Sequence, residues 1–230
     1  MKRIRVKIEG LCDAATAARV AIMGADAIGL VFADSPRRVS AEAAREIVGS
    51  LGPWVAGVGV FVNEQPDAIN RIVERTGIGC VQLHGDEAPQ VVERIAVPCI
   101  KAFRVRDVAW LDQVRAWLDG LADRSRLKAV LLDAYDSAAR GGTGRRFNWE
   151  LVAQARRAGR TDDLGPIILA GGLDASCVEE SVRMVEPWGV DVASGVESSP
   201  GVKDFQKIER FLLAVRRAEA NLATLWDDAS

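Results

Sequence analysis

Short apolar segments alternate with amphipathic segments eight times along this 230-residue chain. Runs of valine, isoleucine and leucine with few polar interruptions are typical of strands buried on both faces, as in a parallel sheet covered by helices. The eight predicted strands span 3–9, 26–32, 55–61, 79–83, 98–103, 128–133, 166–170 and 189–193. The predicted helices span 14–23, 41–48, 66–75, 88–95, 108–121, 149–157, 175–185 and 203 onward.

This strict alternation predicts an α/β fold, a single (β/α)8 barrel of the TIM type. A doubly wound sheet is the competing arrangement, but it usually has fewer repeats. Its first strand–helix turn would often carry a GxGxxG sequence, which is absent here. No linker or low-complexity segment interrupts the pattern, so residues 1–230 are predicted to form one domain. The tail, 217–230, is predicted either to extend the last helix or to fray.

Charge and cysteine content argue against several classes of function. With 30 basic and 32 acidic residues and no block of like charge, the chain predicts neither a nucleic-acid nor a membrane partner. The N-terminus lacks the apolar region of a secretory signal, and no apolar run approaches the ~18 residues of a membrane span. The four cysteines show no CxxC spacing, and one histidine cannot build a His-rich metal site. We therefore expect a cytoplasmic protein with free thiols and no metal.

Two carboxyl groups are predicted at the mouth of the barrel, where active sites of this fold lie at the C-terminal ends of the strands. Asp133 ends the sixth strand and Glu9 the first, so the two form a candidate acid–base pair. A carboxyl group beside apolar walls is suited to act as a general acid near neutral pH. Structural roles compete with this interpretation: Asp133 can cap a helix or pair with an arginine, and Glu9 can pair with Lys7 or Lys101.

The loops after the last two strands predict a phosphate site. Gly171-Gly172 follows the seventh strand, and Ser194-Gly195 follows the eighth. Glycines let backbone N–H groups approach a ligand closely, and a short helix after the eighth strand would add its positive N-terminal dipole. Phosphate binding by these two loops is a recurring feature of such barrels, although the glycines can also simply turn the chain.

Three further features lie after predicted strands. Arg37, after the second strand, is suited to bidentate binding of a carboxylate or phosphate. His84, the single imidazole, follows the fourth strand, where contact with a ligand competes with a structural role. The glycine-rich segment 141–144 follows the sixth strand and is typical of a loop that closes on a ligand.

These motifs, in this order and each at a strand end, resemble the phosphoribosylanthranilate isomerase family of tryptophan biosynthesis. The resemblance covers residues 3 to about 211. It rests on KI-G (7–10), GADAIGLVF (24–32), SPR-VS (35–40), VGVFVN (58–63), VQLHGDE (81–87), IKAF (100–103), LLDA (131–134), GGTG--F-W (141–149), LAGGL (169–173), VDVASGVE (190–197) and PG-KD (200–204).

The resemblance implies an aldose–ketose isomerase that carries out the Amadori rearrangement of N-(5-phosphoribosyl)anthranilate. Asp133 would be the general acid that protonates the furanose oxygen, and a base on the first strand would remove the C2′ proton. No cofactor would be needed, because an amine lone pair within the phosphoribosyl substrate supplies the electrons that open the ring. The other implied roles are carboxylate binding by Arg37, pocket lining by His84 and Asp191, and phosphate binding by Gly172, Ser194 and Gly195. A monomer and a homodimer are both compatible with such a barrel.

The chain departs from this family at one catalytic position. The family's base is the cysteine of KICG, and here that position is Glu9. In one interpretation Glu9 is the base, since the related isomerase of histidine biosynthesis uses two carboxylates. In another, Cys12 supplies the thiol; in a third, turnover is impaired or lost, leaving a phosphosugar-binding barrel. An isomerase of the histidine-pathway substrate is a further alternative, but the loops after the third and fourth strands lack the glycine-rich signal of its second phosphate site.

Overall fold

Eight parallel strands close into a barrel in chain order, and the first strand pairs with the eighth. The computed structural model describes residues 3–133 and 149–227. The strands are β1 (Arg5–Glu9), β2 (Ala27–Val31), β3 (Ala56–Phe61), β4 (Cys80–Leu83), β5 (Cys99–Arg104), β6 (Leu127–Asp133), β7 (Ile167–Ala170) and β8 (Gly189–Val192). The helices are α1 (Ala14–Met23), α2 (Ala41–Ser50), α3 (Pro66–Thr76), α4 (Gln90–Arg94), α5 (Trp110–Asp119), α6 (Trp149–Arg157), α7 (Val178–Val185) and α8 (Phe205–Asp227). The predicted (β/α)8 barrel is confirmed.

Local sequence signals set several helix ends. The Asp13 carboxylate accepts a hydrogen bond from the Thr16 N–H at 2.8 Å and caps α1. Helix α7 begins three residues later than predicted because the Asp174 carboxylate accepts from the Ser176 N–H at 2.7 Å, which holds a turn there. Helix α8 extends to Asp227, so the predicted tail is helical over most of its length. The predicted loop 141–144 lies outside the described residues.

The apolar core has two parts. The larger part lies between the strands and the surrounding helices. The smaller part fills the barrel interior with side chains that alternate along their strands: Val58, Ile100, Ala102, Ala129, Leu131, Ile168 and Ala170. Three buried polar side chains, Lys7, Gln82 and Asp191, also enter the interior. A polar or charged group that is buried without a partner destabilises the fold. The contacts that these three side chains make inside the barrel are therefore described below.

Candidate active site

A buried cluster of three charged groups lies inside the barrel, on β1 and β8. Lys7 and Glu9 are two residues apart on β1, so both side chains enter the interior. The Lys7 Nζ lies 2.6 Å from Glu9 Oε2 and 2.6 Å from Asp191 Oδ2. The side chains of Lys7 and Asp191 are 5% exposed, against 16% for Glu9. Glu9 is therefore the member of this cluster that a ligand at the barrel mouth reaches most readily.

The shared ammonium gives the two carboxyl groups different proton affinities. Burial opposes ionisation of Glu9, but the Lys7 charge outweighs it and lowers the pKa of Glu9 to about 2. Burial raises the pKa of Asp191 to about 7, and the Glu9 charge adds to this rise while Lys7 opposes it. Burial would also lower the pKa of Lys7, yet the two carboxylates outweigh it and raise that pKa. Near neutral pH Glu9 is thus a carboxylate, and Asp191 is the carboxyl group that protonates first.

A chain of close contacts leads from Glu9 across the barrel to Asp133. The Gln82 Nε2 lies 3.3 Å from Glu9 Oε2 and 2.9 Å from His84 Nδ1. The His84 Nε2 lies 3.0 Å from Asp133 Oδ2. Burial would lower the pKa of His84, but its hydrogen bond and charge interaction with Asp133 outweigh burial and raise it. The predicted acid and the predicted base are thus connected through two side chains, one in β4 and one directly after it.

A second ion-pair cluster holds Arg37. The Arg37 Nε donates to Glu197 Oε1 at 2.8 Å, and Nη2 donates to Oε2 at 2.6 Å. Glu197 also accepts from Lys203 Nζ at 2.8 Å. Burial would raise the pKa of Glu197, but these two cations outweigh it and lower that pKa. Two donors of Arg37 therefore already bind a carboxylate of the protein, and its binding of a substrate carboxylate stays a prediction.

The loops after β7 and β8 touch each other through their backbones. Gly171 and Gly172 have φ of 84° and 64°, a conformation that side chains with a Cβ rarely adopt. A Cβ on Gly195 would lie 1.9 Å from the Leu173 carbonyl oxygen, so the contact between the loops requires glycine there. One 3-10 turn, Ser194–Val196, stands where a short helix was predicted. The four residues predicted to bind phosphate thus lie in two adjoining loops, and their binding of phosphate stays a prediction.

Cys12 lies apart from the charged cluster on β1. Its Sγ is 3.8 Å from the Gly10 carbonyl oxygen and 3.7 Å from that of Arg37. Burial raises the pKa of its thiol, although the Lys203 charge partly offsets this effect. A thiol that is harder to ionise and that contacts backbone carbonyls is a poor proton acceptor. These contacts favour Glu9 over Cys12 as a base.

Among the described residues, no group of side chains is arranged to hold a metal ion. Across 3–133 and 149–227, no three His, Cys, Asp or Glu side chains group together closely enough to hold a metal ion. Cys12, Cys80, Cys99 and Cys177 are all free. In the same part of the chain, no helix is long and apolar enough to cross a membrane.

Comparison with known families decides where this site belongs. The family model described as N-(5'-phosphoribosyl)anthranilate isomerase matches residues 6–214, which is most of the chain. The chain belongs to the phosphoribosylanthranilate isomerase family. The resemblance drawn from the motifs is confirmed, and with it the assignment to an isomerase of tryptophan biosynthesis.

Individual relatives within the phosphoribosylanthranilate isomerase family match over nearly their whole length. The isomerase of Geobacter metallireducens is 44% identical over 218 residues, covering 94% of this chain and all of the relative. That of Trichlorobacter lovleyi is 42% identical over 216 residues, covering 94% and 99%. The crystal structure of the Thermotoga maritima isomerase superposes with a TM-score of 0.82 at 34% identity, covering 93% and 98%. Another structure, in complex with reduced 1-(o-carboxyphenylamino)-1-deoxyribulose 5-phosphate, superposes with a TM-score of 0.78 at 33% identity, covering 94% and 99%.

The barrel brings most of the predicted site residues together and adds one residue, Gln82, and one contact, between Lys7 and Asp191, that the sequence did not predict. Glu9, His84, Asp133 and Asp191 belong to one connected polar network, whereas Arg37 belongs to the cluster around Glu197. Gln82 was not predicted, and neither was the sharing of Lys7 between two carboxyl groups. The two-residue period of a strand carries part of the signal, since it places Lys7 with Glu9 and Gln82 with His84. The contact of Lys7 with Asp191 depends instead on the pairing of β1 with β8.

Proposed function

We propose that Glu9 and Asp133 carry the isomerase reaction of this chain, the Amadori rearrangement of N-(5-phosphoribosyl)anthranilate. Asp133 gives its proton to the furanose oxygen as the C1′–O bond breaks, and the amine lone pair forms a C1′ iminium. The Glu9 carboxylate then takes the proton from C2′, and the C–H electron pair forms the C1′–C2′ double bond of an enolamine while the iminium π pair returns to nitrogen. Tautomerisation of the enolamine gives the ketone 1-(2-carboxyphenylamino)-1-deoxyribulose 5-phosphate.

The contact between Lys7 and Glu9 is the observation that carries this proposal. A base must be unprotonated before the substrate arrives, and the Lys7 ammonium, 2.6 Å away, keeps Glu9 so. Its low pKa makes it a weak base by comparison with a thiolate, whose usual pKa is about 8.5. The iminium beside C2′ compensates in part, because the positive charge acidifies the C–H bond that is broken.

The remaining predicted residues complete the binding site. Arg37 binds the anthranilate carboxylate, either through its remaining N–H groups or by exchange with Glu197. His84 and Asp191 line the pocket. The adjoining loops of β7 and β8 hold the phosphate through backbone N–H groups, with Gly171, Gly172, Ser194 and Gly195 as the contact residues. Because the substrate supplies its own amine lone pair, the reaction uses no cofactor.

A second candidate is a barrel that binds the phosphosugar with impaired or no turnover. The same Lys7–Glu9 contact favours it, since a pKa of about 2 leaves little affinity for a substrate proton. Each unit of pKa corresponds to about 1.4 kcal/mol between the two protonation states. Lys7 thus keeps Glu9 ionised and also makes it a weaker base. A measurement of turnover distinguishes the two candidates.

The deciding experiment measures consumption of N-(5-phosphoribosyl)anthranilate by the purified protein and by two variants. We expect turnover in the wild type, and in Glu9→Gln a loss of kcat of about 100-fold or more, because the amide accepts no proton. Glu9→Cys restores the family's usual base and is expected to retain or raise kcat. Glu64→Gln, which alters an exposed glutamate after β3, is the control and is expected to match the wild type.

Two outcomes separate the candidates. Binding of the reduced product analogue without any turnover would overturn the catalytic proposal and leave the binding barrel. Equal turnover of the wild type and Glu9→Gln would instead remove Glu9 from the mechanism.

The oligomeric state and the cellular location of the protein are also proposals. One Thermotoga maritima structure is described as monomers generated from a dimeric isomerase. We propose a monomer or a homodimer that acts in the cytoplasm as one domain, on a small phosphorylated substrate and without a nucleic-acid partner. Light scattering of the purified protein reads the oligomeric state directly.

A further inference from the structure

The Gln82 amide lies between the proposed base and the only histidine. Its side chain is buried, and its Nε2 contacts both Glu9 Oε2, at 3.3 Å, and His84 Nδ1, at 2.9 Å. An amide nitrogen carries two hydrogens and can donate to both acceptors, whereas an amide oxygen can donate to neither. The Gln82 Oε1 is buried and has no hydrogen-bond partner among the described residues.

The charge of Glu9 determines which way this amide points. A half-turn would exchange the nitrogen and the oxygen of Gln82. The oxygen would then face the Glu9 carboxylate, which Lys7 holds in its ionised form, and two acceptors at that distance repel each other. The observed orientation avoids that repulsion, although it leaves the buried Gln82 Oε1 without a hydrogen-bond partner among the described residues.

The orientation of Gln82 in turn selects one form of the His84 ring. Because an N–H of Gln82 points at Nδ1, that nitrogen must be unprotonated and the ring hydrogen must lie on Nε2, which is 3.0 Å from Asp133 Oδ2. The charged groups around the ring are Asp133 on β6, Glu9 and Lys7 on β1, and Asp191 on β8. The nearby carboxylates favour an imidazolium, but an Nδ1–H would meet the Gln82 donor.

We propose that Gln82 is a positioning residue: oriented by Glu9, it holds His84 as the neutral Nε2–H tautomer with that hydrogen directed at Asp133. Only the catalytic consequence rests on the proposed function. Once Asp133 has given its proton to the ring oxygen, the His84 N–H stabilises the carboxylate that remains. The tautomer itself is a property of the protein without substrate.

Nitrogen-15 NMR of the substrate-free protein tests the tautomer directly. The chain contains one histidine, so every imidazole signal belongs to His84. Near pH 7.5 we expect a protonated Nε2 and an unprotonated Nδ1. Gln82→Met removes the donor at similar volume, and we expect a larger share of Nδ1–H and imidazolium forms at the same pH. Gln154→Met, on the exposed face of α6, is the control and should leave the spectrum unchanged.

A second variant keeps the test decisive if Gln82→Met does not fold. Glu9→Gln removes the charge that orients the amide and leaves Gln82 in place, so the share of the Nε2–H form is expected to fall. A wild-type spectrum of Nδ1–H or imidazolium at pH 7.5 would overturn the proposal. So would spectra of Glu9→Gln and Gln82→Met that both match the wild type.

Kinetics separate this proposal from the catalytic one. Gln82→Met is expected to lower kcat by about tenfold, with little change in KM, as when an orienting partner is removed from an active-site histidine. If Asp133→Asn leaves kcat unchanged while the NMR shows the Nε2–H form, the catalytic proposal fails and the positioning of His84 stands. If the tautomer is wrong while Asp133→Asn abolishes turnover, the reverse holds.

Discussion

The two proposed proton-transfer residues lie in different electrostatic surroundings at the barrel mouth, on strands β1 and β6. On the β1 side, Glu9 contacts a buried permanent cation, Lys7, which also binds Asp191. On the β6 side, Asp133 contacts an imidazole, whose charge depends on pH. A permanent cation favours the ionised form of the carboxyl group beside it, whereas a neutral imidazole can donate a hydrogen bond without adding a charge.

This difference matches the two roles that the isomerisation needs. A base must be ionised before the substrate binds, and an acid must be able both to hold a proton and to release it. Enzymes that use two carboxyl groups commonly separate their proton affinities through the environment rather than through residue type. Here Glu9 has a charged neighbour in Lys7, and Asp133 has a hydrogen-bonding neighbour in His84.

The β6 side carries the largest expected kinetic effect. In Asp133→Asn the amide has no acidic proton to give to the ring oxygen, so kcat is expected to fall by about 100- to 10,000-fold. Substrate affinity is expected to change much less, because the side chain keeps its shape and a polar contact with His84. Steady-state kinetics measure both quantities, with Asp112→Asn on the exposed face of α5 as the control. A change confined to KM would make Asp133 a binding residue. The β6 side of the site would then not supply the general acid.

The β1 side carries the largest expected effect on stability. Lys7→Met leaves two buried carboxyl groups without their cation, and breaking a buried pair in this way costs about 3–5 kcal/mol. Without Lys7, the folded-state pKa values of Glu9 and Asp191 would both lie above their unfolded values. The variant should therefore be closest to the wild type below about pH 4, and its deficit should grow as the pH rises through those raised values.

Urea unfolding at pH 5 and pH 8 measures that dependence on pH. Lys128→Met, at an exposed position of β6, is the matched control and is expected to lose little at either pH. An equal loss at both pH values in Lys7→Met would mean that packing, and not the charge of Lys7, stabilises the β1 side.

The sequence predicts the barrel well because each strand and helix carries its own local signal. The alternation of apolar runs and amphipathic segments predicts all eight strands within two residues at each end. Glu9 and Asp133 could be located because strand ends map onto the barrel mouth. The late start of helix α7 depends on a single hydrogen bond, from the Ser176 N–H to the Asp174 carboxylate, which the apolar pattern does not reveal.

The partners of the site residues could not be predicted in the same way. Lys7 was an expected alternative partner of Glu9, but its second contact, with Asp191, depends on β1 and β8 closing the barrel in the observed register. Gln82 contacts Glu9 across the interior from β4, over 73 positions of sequence. Arg37 could bind a ligand or the protein, and its contact with Glu197 joins loops 160 positions apart. Such contacts follow from tertiary closure and leave no local signal.

The dependence of kcat/KM on pH sharpens the comparison between the two sides. With Glu9 as the base, the acidic limb caused by its protonation should lie far below neutral pH, since its pKa is about 2. Activity falls as the pH drops through the pKa of a base, so the wild type should lose little from this cause above about pH 4. In Glu9→Cys, the base is a thiol with a usual pKa of about 8.5, which Lys7 lowers only in part.

The acidic limb of Glu9→Cys should therefore lie at higher pH than that of the wild type. Both profiles can be recorded in one buffer series from pH 4 to pH 9, with protein stability checked at each end. Coincident acidic limbs would mean that the residue at position 9 does not set the limb, and the assignment of the base to the β1 side would lose its main support.

The smallest expected effect concerns Cys12. It is the cysteine nearest in sequence to position 9, where the family has its catalytic cysteine and this chain has Glu9. Its Sγ contacts the carbonyl oxygens of Gly10 and Arg37, and burial raises its pKa, so its thiol stays protonated where a base must be ionised. Cys12→Ser keeps a small polar side chain and is expected to change kcat by less than about twofold, equivalent to ~0.4 kcal/mol in the activation free energy. A large loss in Cys12→Ser, together with full activity in Glu9→Gln, would move the base three residues along the chain. The buried Lys7 cluster would then be a structural ion pair only.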